Sequence, residues 1–176
     1  QDPIDEANET VPLTIGGVTA TGTIVDDDGA PNIASVEPGA PGAADDAVPE
    51  GMDLIYSVTL TNPSSTPVSY GFALGGGTAA SGDIGAPVFS DGVVLNPDGT
   101  ITVPAGVTAF TVTVPTTQDP IDEANETVPL TVGGVAATGT ITRWMVRRGP
   151  HPLPPPEGER VYSPSPPPPH HNPPPS

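Results

Sequence analysis

Carboxylates are the side chains in this sequence whose types and spacing could do chemistry. Residues 1–142 contain 19 Asp and Glu and no Lys or Arg. The acids are clustered: QDPIDEANET stands at residues 1–10 and again at 118–127, and Asp26-Asp27-Asp28 forms a run. Clustered carboxylates repel one another until a cation arrives, and Ca²⁺ takes about six to eight oxygens at roughly 2.3 to 2.6 Å. Divalent cations are therefore the natural ligands of such a body. Without cationic side chains it cannot neutralise phosphates, so nucleic acid is not expected as a partner, nor are anionic membrane surfaces. Catalysis is not expected either. Cysteine is absent, His151, His170 and His171 all lie in the last 34 residues, and no Ser/His/Asp or Cys/His set exists before them. The histidines have no carboxylate or Cys at ligand spacing, so no metal role is expected of them.

The elements that must position the carboxylates follow from a duplication. Residues 1–24 recur at 118–141, differing only at Ile15/Val132 and Thr19/Ala136. Near-identity at a separation of 117 residues points to tandem repetition of a domain-sized unit, because a shared fold alone tolerates far more drift at the surface. Residues 1–29 then read as the C-terminal fragment of a preceding repeat, 30–142 as one near-complete unit, and 143–176 as an appended tail. An export signal is expected outside this stretch, and no run of about 18 apolar residues predicts a membrane span.

Within the unit the apolar residues keep a period of two. Leu54, Tyr56, Val58 and Leu60 alternate with Ile55, Ser57 and Thr59. Val68, Tyr70, Phe72 and Leu74 do the same, as do Phe110, Val112 and Val114, then Val128, Leu130 and Val132, and in the earlier copy Val11, Leu13 and Ile15. Asn96-Pro97-Asp98-Gly99 is a hairpin turn between Val93-Val94-Leu95 and Thr100-Ile101-Thr102-Val103, and Gly133-Gly134 joins the last two strands. No helical period occurs. Short strands at such spacing predict an all-β fold, an antiparallel sandwich of about seven strands. Residues 1–28 supply two further strand patterns without a sheet of their own, and are expected to project as a loosely docked hairpin.

At Thr142 the copies part. The first continues into Val25-Asp26-Asp27-Asp28, whereas the second turns to Arg143-Trp144-Met145 and a tract with 13 Pro in 34 residues, carrying all four Arg (Arg143, Arg147, Arg148, Arg160). Such a tract cannot bury a core and is expected to be disordered. One reading of the tract is a flexible linker or a ligand for a proline-binding domain; the preferred one is an interrupted gene, since PHPLPPPEGER resembles translated intergenic repeat DNA.

The ordered set of segments resembles the Calx-beta domain. It comprises Glu50-Gly51 before the strand 54–60, then Gly77-Thr78-Ala79-Ala80-Ser81-Gly82-Asp83. Thr102-Val103-Pro104-Ala105-Gly106 follows, leading to Phe110-Thr111-Val112, then Asp119-Pro120-Ile121-Asp122-Glu123-Ala124-Asn125-Glu126-Thr127. The earlier copy adds the closing Gly22-Thr23-Ile24-Val25-Asp26-Asp27-Asp28. The resemblance covers about residues 31–141, with 1–28 as the tail of the unit before. It implies a seven-stranded immunoglobulin-like sandwich whose loops at one end bind Ca²⁺. By resemblance the ligand positions are Glu50, Asp83, Asp119 and Glu123 in the complete unit, and Asp2, Glu6, Asp26, Asp27 and Asp28 in the preceding one. Two departures follow. The complete unit has Thr142-Arg143-Trp144 where the acidic triplet would stand, and Ala124-Asn125 dilute the acidic segment, which implies millimolar rather than micromolar calcium.

The expected function is a non-catalytic structural or adhesive module of an extracellular or cell-surface protein, stiffened by calcium in the array; the alternative is a calcium-sensing module. Neighbouring repeats are the expected partners, with other surface proteins or glycans beyond them. Asn8-Glu9-Thr10 and Asn125-Glu126-Thr127 also match the N-glycosylation pattern.

Overall fold

Alternation of small β-branched and apolar side chains with Thr and Ser leaves this chain little choice but strands. The computed structural model describes residues 2–43, 45–121 and 123–143, all within the unit Gln1–Trp144. The proline-rich tract beyond Arg143, expected to be disordered, lies outside the described residues. In chain order the strands are β1 (Glu9–Ile15), β2 (Val18–Ile24), β3 (Ile33–Pro38), β4 (Ala47–Pro49), β5 (Leu54–Leu60) and β6 (Val68–Leu74). They continue with β7 (Val88–Phe89), β8 (Val94–Leu95), β9 (Thr100–Val103), β10 (Ala109–Val114), β11 (Glu126–Val132) and β12 (Val135–Thr142). No helix occurs among the described residues.

After the first two strands, one sheet runs β3-β5-β10-β7 and the other β4-β12-β11-β6-β9-β8. Seven of these strands, β3, β5, β6, β9, β10, β11 and β12, have four residues or more and pair antiparallel. They are the predicted sandwich. Numbered among themselves, the first, second and fifth form one layer and the seventh, sixth, third and fourth the other. This is an immunoglobulin arrangement in which the fourth strand sits beside the third. Of the three short strands, β8 is the first arm of the predicted hairpin at Asn96–Gly99, antiparallel to β9; β4 and β7 were not anticipated, and β4 pairs parallel with β12, Thr140 facing Ala47 and Thr142 facing Pro49. Ala47–Pro49 is too short to display a period, so only the tertiary fold reveals it.

The core lies between the layers. Leu54, Tyr56 and Val58 from β5, Val112 and Val114 from β10, and Val128, Leu130 and Val132 from β11 are fully buried. Tyr56 carries a polar group into this interior, and it has partners: its hydroxyl donates to the Val128 carbonyl and accepts from the Gly139 N–H at 3.2 Å. Gly139 is what allows the layers to meet here. A Cβ at that position would sit 2.7 Å from the Leu54 side chain and 2.9 Å from the Tyr56 oxygen. β6 departs from expectation: Val68, Tyr70, Phe72 and Leu74 face inward but stay half-buried. The opposing layer thins there to the two residues of β7, where Phe89 meets Phe72 edge to face at 5.3 Å.

β1 and β2 pair only with each other, and every residue in both is exposed, as the sequence leads one to expect of a hairpin without a sheet. Its mooring is the segment before it. The Asp5 N–H donates to the Pro63 carbonyl (3.1 Å), and the Asp5 carbonyl accepts from the N–H and hydroxyl of Ser65 (2.9 and 3.0 Å). Asn62 reaches the Gly29 carbonyl at 2.8 Å from the other side. These contacts are at the pole where β5 ends.

Candidate cation site

The opposite pole, where β5 begins, gathers the acids of the complete unit. Glu50 is held by its own backbone: its N–H donates to the Thr142 carbonyl at 3.1 Å, and the Met52 N–H closes a turn onto the Pro49 carbonyl at 3.1 Å. Gly51, next in that turn, has φ +80°, a conformation any side chain would strain. The turn tucks the Glu50 side chain inward until only 8% of the residue is exposed. Asp83 closes a second turn, its carboxylate accepting from the Ala80 N–H at 2.6 Å and its N–H donating to the Ala80 carbonyl. That loop is laced to β11 by Thr78 and Thr127, each backbone N–H donating to the other's hydroxyl (3.0 and 2.8 Å). Asp119 accepts from the Ile121 N–H at 2.7 Å, an Asx turn that shapes the acidic segment. Glu126 opens β11, opposite Ile141.

Carboxylate oxygens of Asp83, Glu123 and Glu126 lie within 4.8 Å of one another. Oxygens facing each other across one Ca²⁺ are separated by about 4.6 to 5.2 Å, so this spacing suits ligands of a common ion. The acids press on each other. Burial, then Asp119, Asp83 and Glu50, push the Glu123 carboxyl above its ordinary pKa. Glu126 is raised by burial, then by Asp83, Glu123 and Glu50. Glu50 adds an independent observation: its Oε2 is buried and has no hydrogen-bond partner. Buried carboxylate oxygens are ordinarily paired, and a cation is what this donor set fits.

The hairpin gathers a second acidic cluster at the other pole. Asp2, Glu6, Glu9 and Asp26-Asp27-Asp28 line a cleft of about 220 Å³. Asp26 ties it together, accepting from the Glu6 N–H (3.1 Å) and donating its own N–H to Asn8 Oδ1 (2.9 Å). Glu6 is raised by burial, then by Asp2, Glu9, Asp26 and Asp28; Asp28 is raised by burial, then by Asp27, Asp26 and Asp2. Two bonds recur in both copies. Asp2 caps Ile4 as Asp119 caps Ile121, and Asn125 accepts from the Arg143 N–H at 3.3 Å as Asn8 does from Asp26. Arg143 thus occupies the place of Asp26.

All nine residues proposed from the sequence fall into these two clusters: Glu50, Asp83, Asp119 and Glu123 in one, and Asp2, Glu6, Asp26, Asp27 and Asp28 in the other. Glu126 and its counterpart Glu9 were not singled out. The spacing Glu123-x-x-Glu126 was the available signal. Along an extended strand, residues three apart point to opposite faces, and only the irregular backbone at Glu123 lets the two carboxylates converge.

No family model and no curated protein matches this chain. Among solved structures it is similar to domains 4 and 5 of the S-layer protein SbsC, with 15% identity and a TM-score of 0.39, over 78% of this chain. The match spans 65% of that structure's length.

Proposed function

We propose that this chain is a non-catalytic structural module of a cell-surface or extracellular repeat protein, and that its acidic pole binds a divalent cation, calcium by preference, which stiffens it. The observation that carries the reading is the buried Glu50 carboxylate, with one oxygen unpartnered, facing Glu123 and Glu126. Recurrence of the acidic segment in both copies, each time within a cluster of carboxylates, supports a repeated mechanical task, as does a body with no Lys, Arg or Cys. The resemblance to the Calx-beta domain supports calcium over other hard cations. Calcium at about ten times its dissociation constant adds roughly 1.4 kcal/mol to the folded state. Thermal unfolding with millimolar calcium, with magnesium and with EDTA tests this: the midpoint should rise by several degrees for calcium alone. An equal rise with magnesium, or none, would leave an acidic spacer without a specific ion.

A calcium-sensing role is the second reading. It requires micromolar affinity, and Ala124 and Asn125 within the acidic segment argue for a weaker site. Calorimetric titration of the full chain separates the two.

A further inference from the structure

The same hairpin occurs twice in this molecule, once as core and once as surface. Val11, Leu13 and Ile15 are 52, 59 and 71% exposed, while their counterparts Val128, Leu130 and Val132 are fully buried. The ladders are superimposable in register: Glu9 faces Ile24 and Ile15 faces Val18, just as Glu126 faces Ile141 and Val132 faces Val135. The buried copy therefore displays the surface that the exposed copy fits. That surface is the layer of Leu54 and Tyr56, against which Gly139 packs and to which Val128 is hydrogen-bonded.

We propose that residues 1–25 of one copy of this chain can take the place of residues 118–142 in the sandwich of a second copy, linking copies head to tail. The donor needs no rearrangement, because its hairpin already projects with the apolar face uncovered and is moored through Asp5 to Pro63 and Ser65. The occupant is a second copy rather than the chain's own hairpin. Filling its own slot would stretch residues 26–32, which span at most about 25 Å, along a sandwich whose β5 alone is about 20 Å long. It would also break the Asp5 contacts. A 25-residue segment matches the roughly 20 to 30 residues that each side of a stable interface contributes. Of the two sequence differences, Thr19 replaces an exposed Ala136, whereas Ile15 adds a methylene where Val132 has no exposure. The resident hairpin thus keeps its place in the intact chain by fit and by tethering. The linkage is open-ended, since each copy has one donor and one slot.

Exchange also changes the acidic pole. Glu50 and Asp83 of the acceptor would meet Glu6, Glu9 and the Asp26-Asp27-Asp28 run of the donor, with Asp26 where the resident segment has Arg143. This consequence rests on the cation reading given above; the hairpin exchange itself does not.

The test compares Leu130→Asp, Leu13→Asp and the double variant in the full chain, by amide exchange in β5 and by sedimentation over a roughly hundredfold range of concentration. In EDTA, L130D should keep β5 protected, but only in oligomers that dissociate on dilution. The double variant should lose that protection by at least about a hundredfold, and L13D should remain a folded monomer. An L130D chain as unfolded as the double variant would overturn the proposal, and so would one that is folded and monomeric throughout. Millimolar calcium should lower the concentration at which L130D assembles by roughly tenfold. Assembly indifferent to calcium would defeat the cation reading while leaving the exchange intact.

Discussion

Glu50 is the residue at which stability and binding pull in opposite directions. A buried carboxylate oxygen without a partner weakens the ion-free fold, so Glu50→Gln should raise the melting temperature in EDTA by about 4 °C, corresponding to roughly 1 kcal/mol. The same change should abolish the calcium-induced rise; scanning calorimetry with and without calcium reads both. Tyr56 gives a second prediction from a different cause. Burial pushes its hydroxyl up to about 12, the Gly139 N–H opposing the shift. The folded state therefore holds this proton more tightly than the unfolded chain, whose tyrosines ionise near 10. The stability it contributes is complete below pH 10 and declines as pH rises from 10 to 12, by about 2 to 3 kcal/mol in all. Urea unfolding across that range should show the decline in the native chain and much less of it in Tyr56→Phe. Most of the site at this scale was legible, because carboxylates in a Lys- and Arg-free body announce themselves. Glu126 was not, since its convergence with Glu123 depends on a break in strand geometry that spacing does not encode.

At the scale of elements, a side chain's value depends on what its strand faces, and the duplicated hairpins separate the two. Gly139→Ala would drive a Cβ against Leu54 in the core and should cost about 1 to 3 kcal/mol in dilute solution. Gly22→Ala, at the matching position, would meet nothing nearer than the Val11 carbonyl at 3.8 Å and should change stability by less than about 0.5 kcal/mol. Chemical denaturation of the two variants distinguishes them. The strands with complete alternation, β5, β10 and β11, could be read from sequence because the opposite layer fully covers their inward faces. β4 could not. Three residues paired parallel with β12, far along the chain, leave no local trace, although they place the turn that buries Glu50. β6 reads as core but is half-buried, because alternation reports which side a residue faces and not how much lies opposite it.

For the whole molecule the governing quantity is a net charge of −17. Glu123 and Glu126 at one pole, and Glu6 and Asp28 at the other, all have raised pKa values. Carboxyls raised in the folded state bind protons more readily there than in the unfolded chain, so stability should increase as pH falls from neutrality through their folded pKa values. Calcium should blunt that dependence by occupying the place of the protons. Melting temperatures between pH 7 and about pH 4.5, with and without calcium, should converge at the acid end. The sandwich itself was foreseeable from turns and periods, whereas the opposition of two acidic poles was not, since only the fold says which loops share an end. The twin hairpins finally make the protein its own control experiment. Seven cross-strand pairs of nearly one sequence exist in one molecule, exposed throughout in one copy and with the inward face buried in the other. The ratio of amide exchange rates between matched positions, Leu13 against Leu130 for example, would measure what a core adds to a β-ladder, with temperature, solvent and sequence cancelled within a single tube.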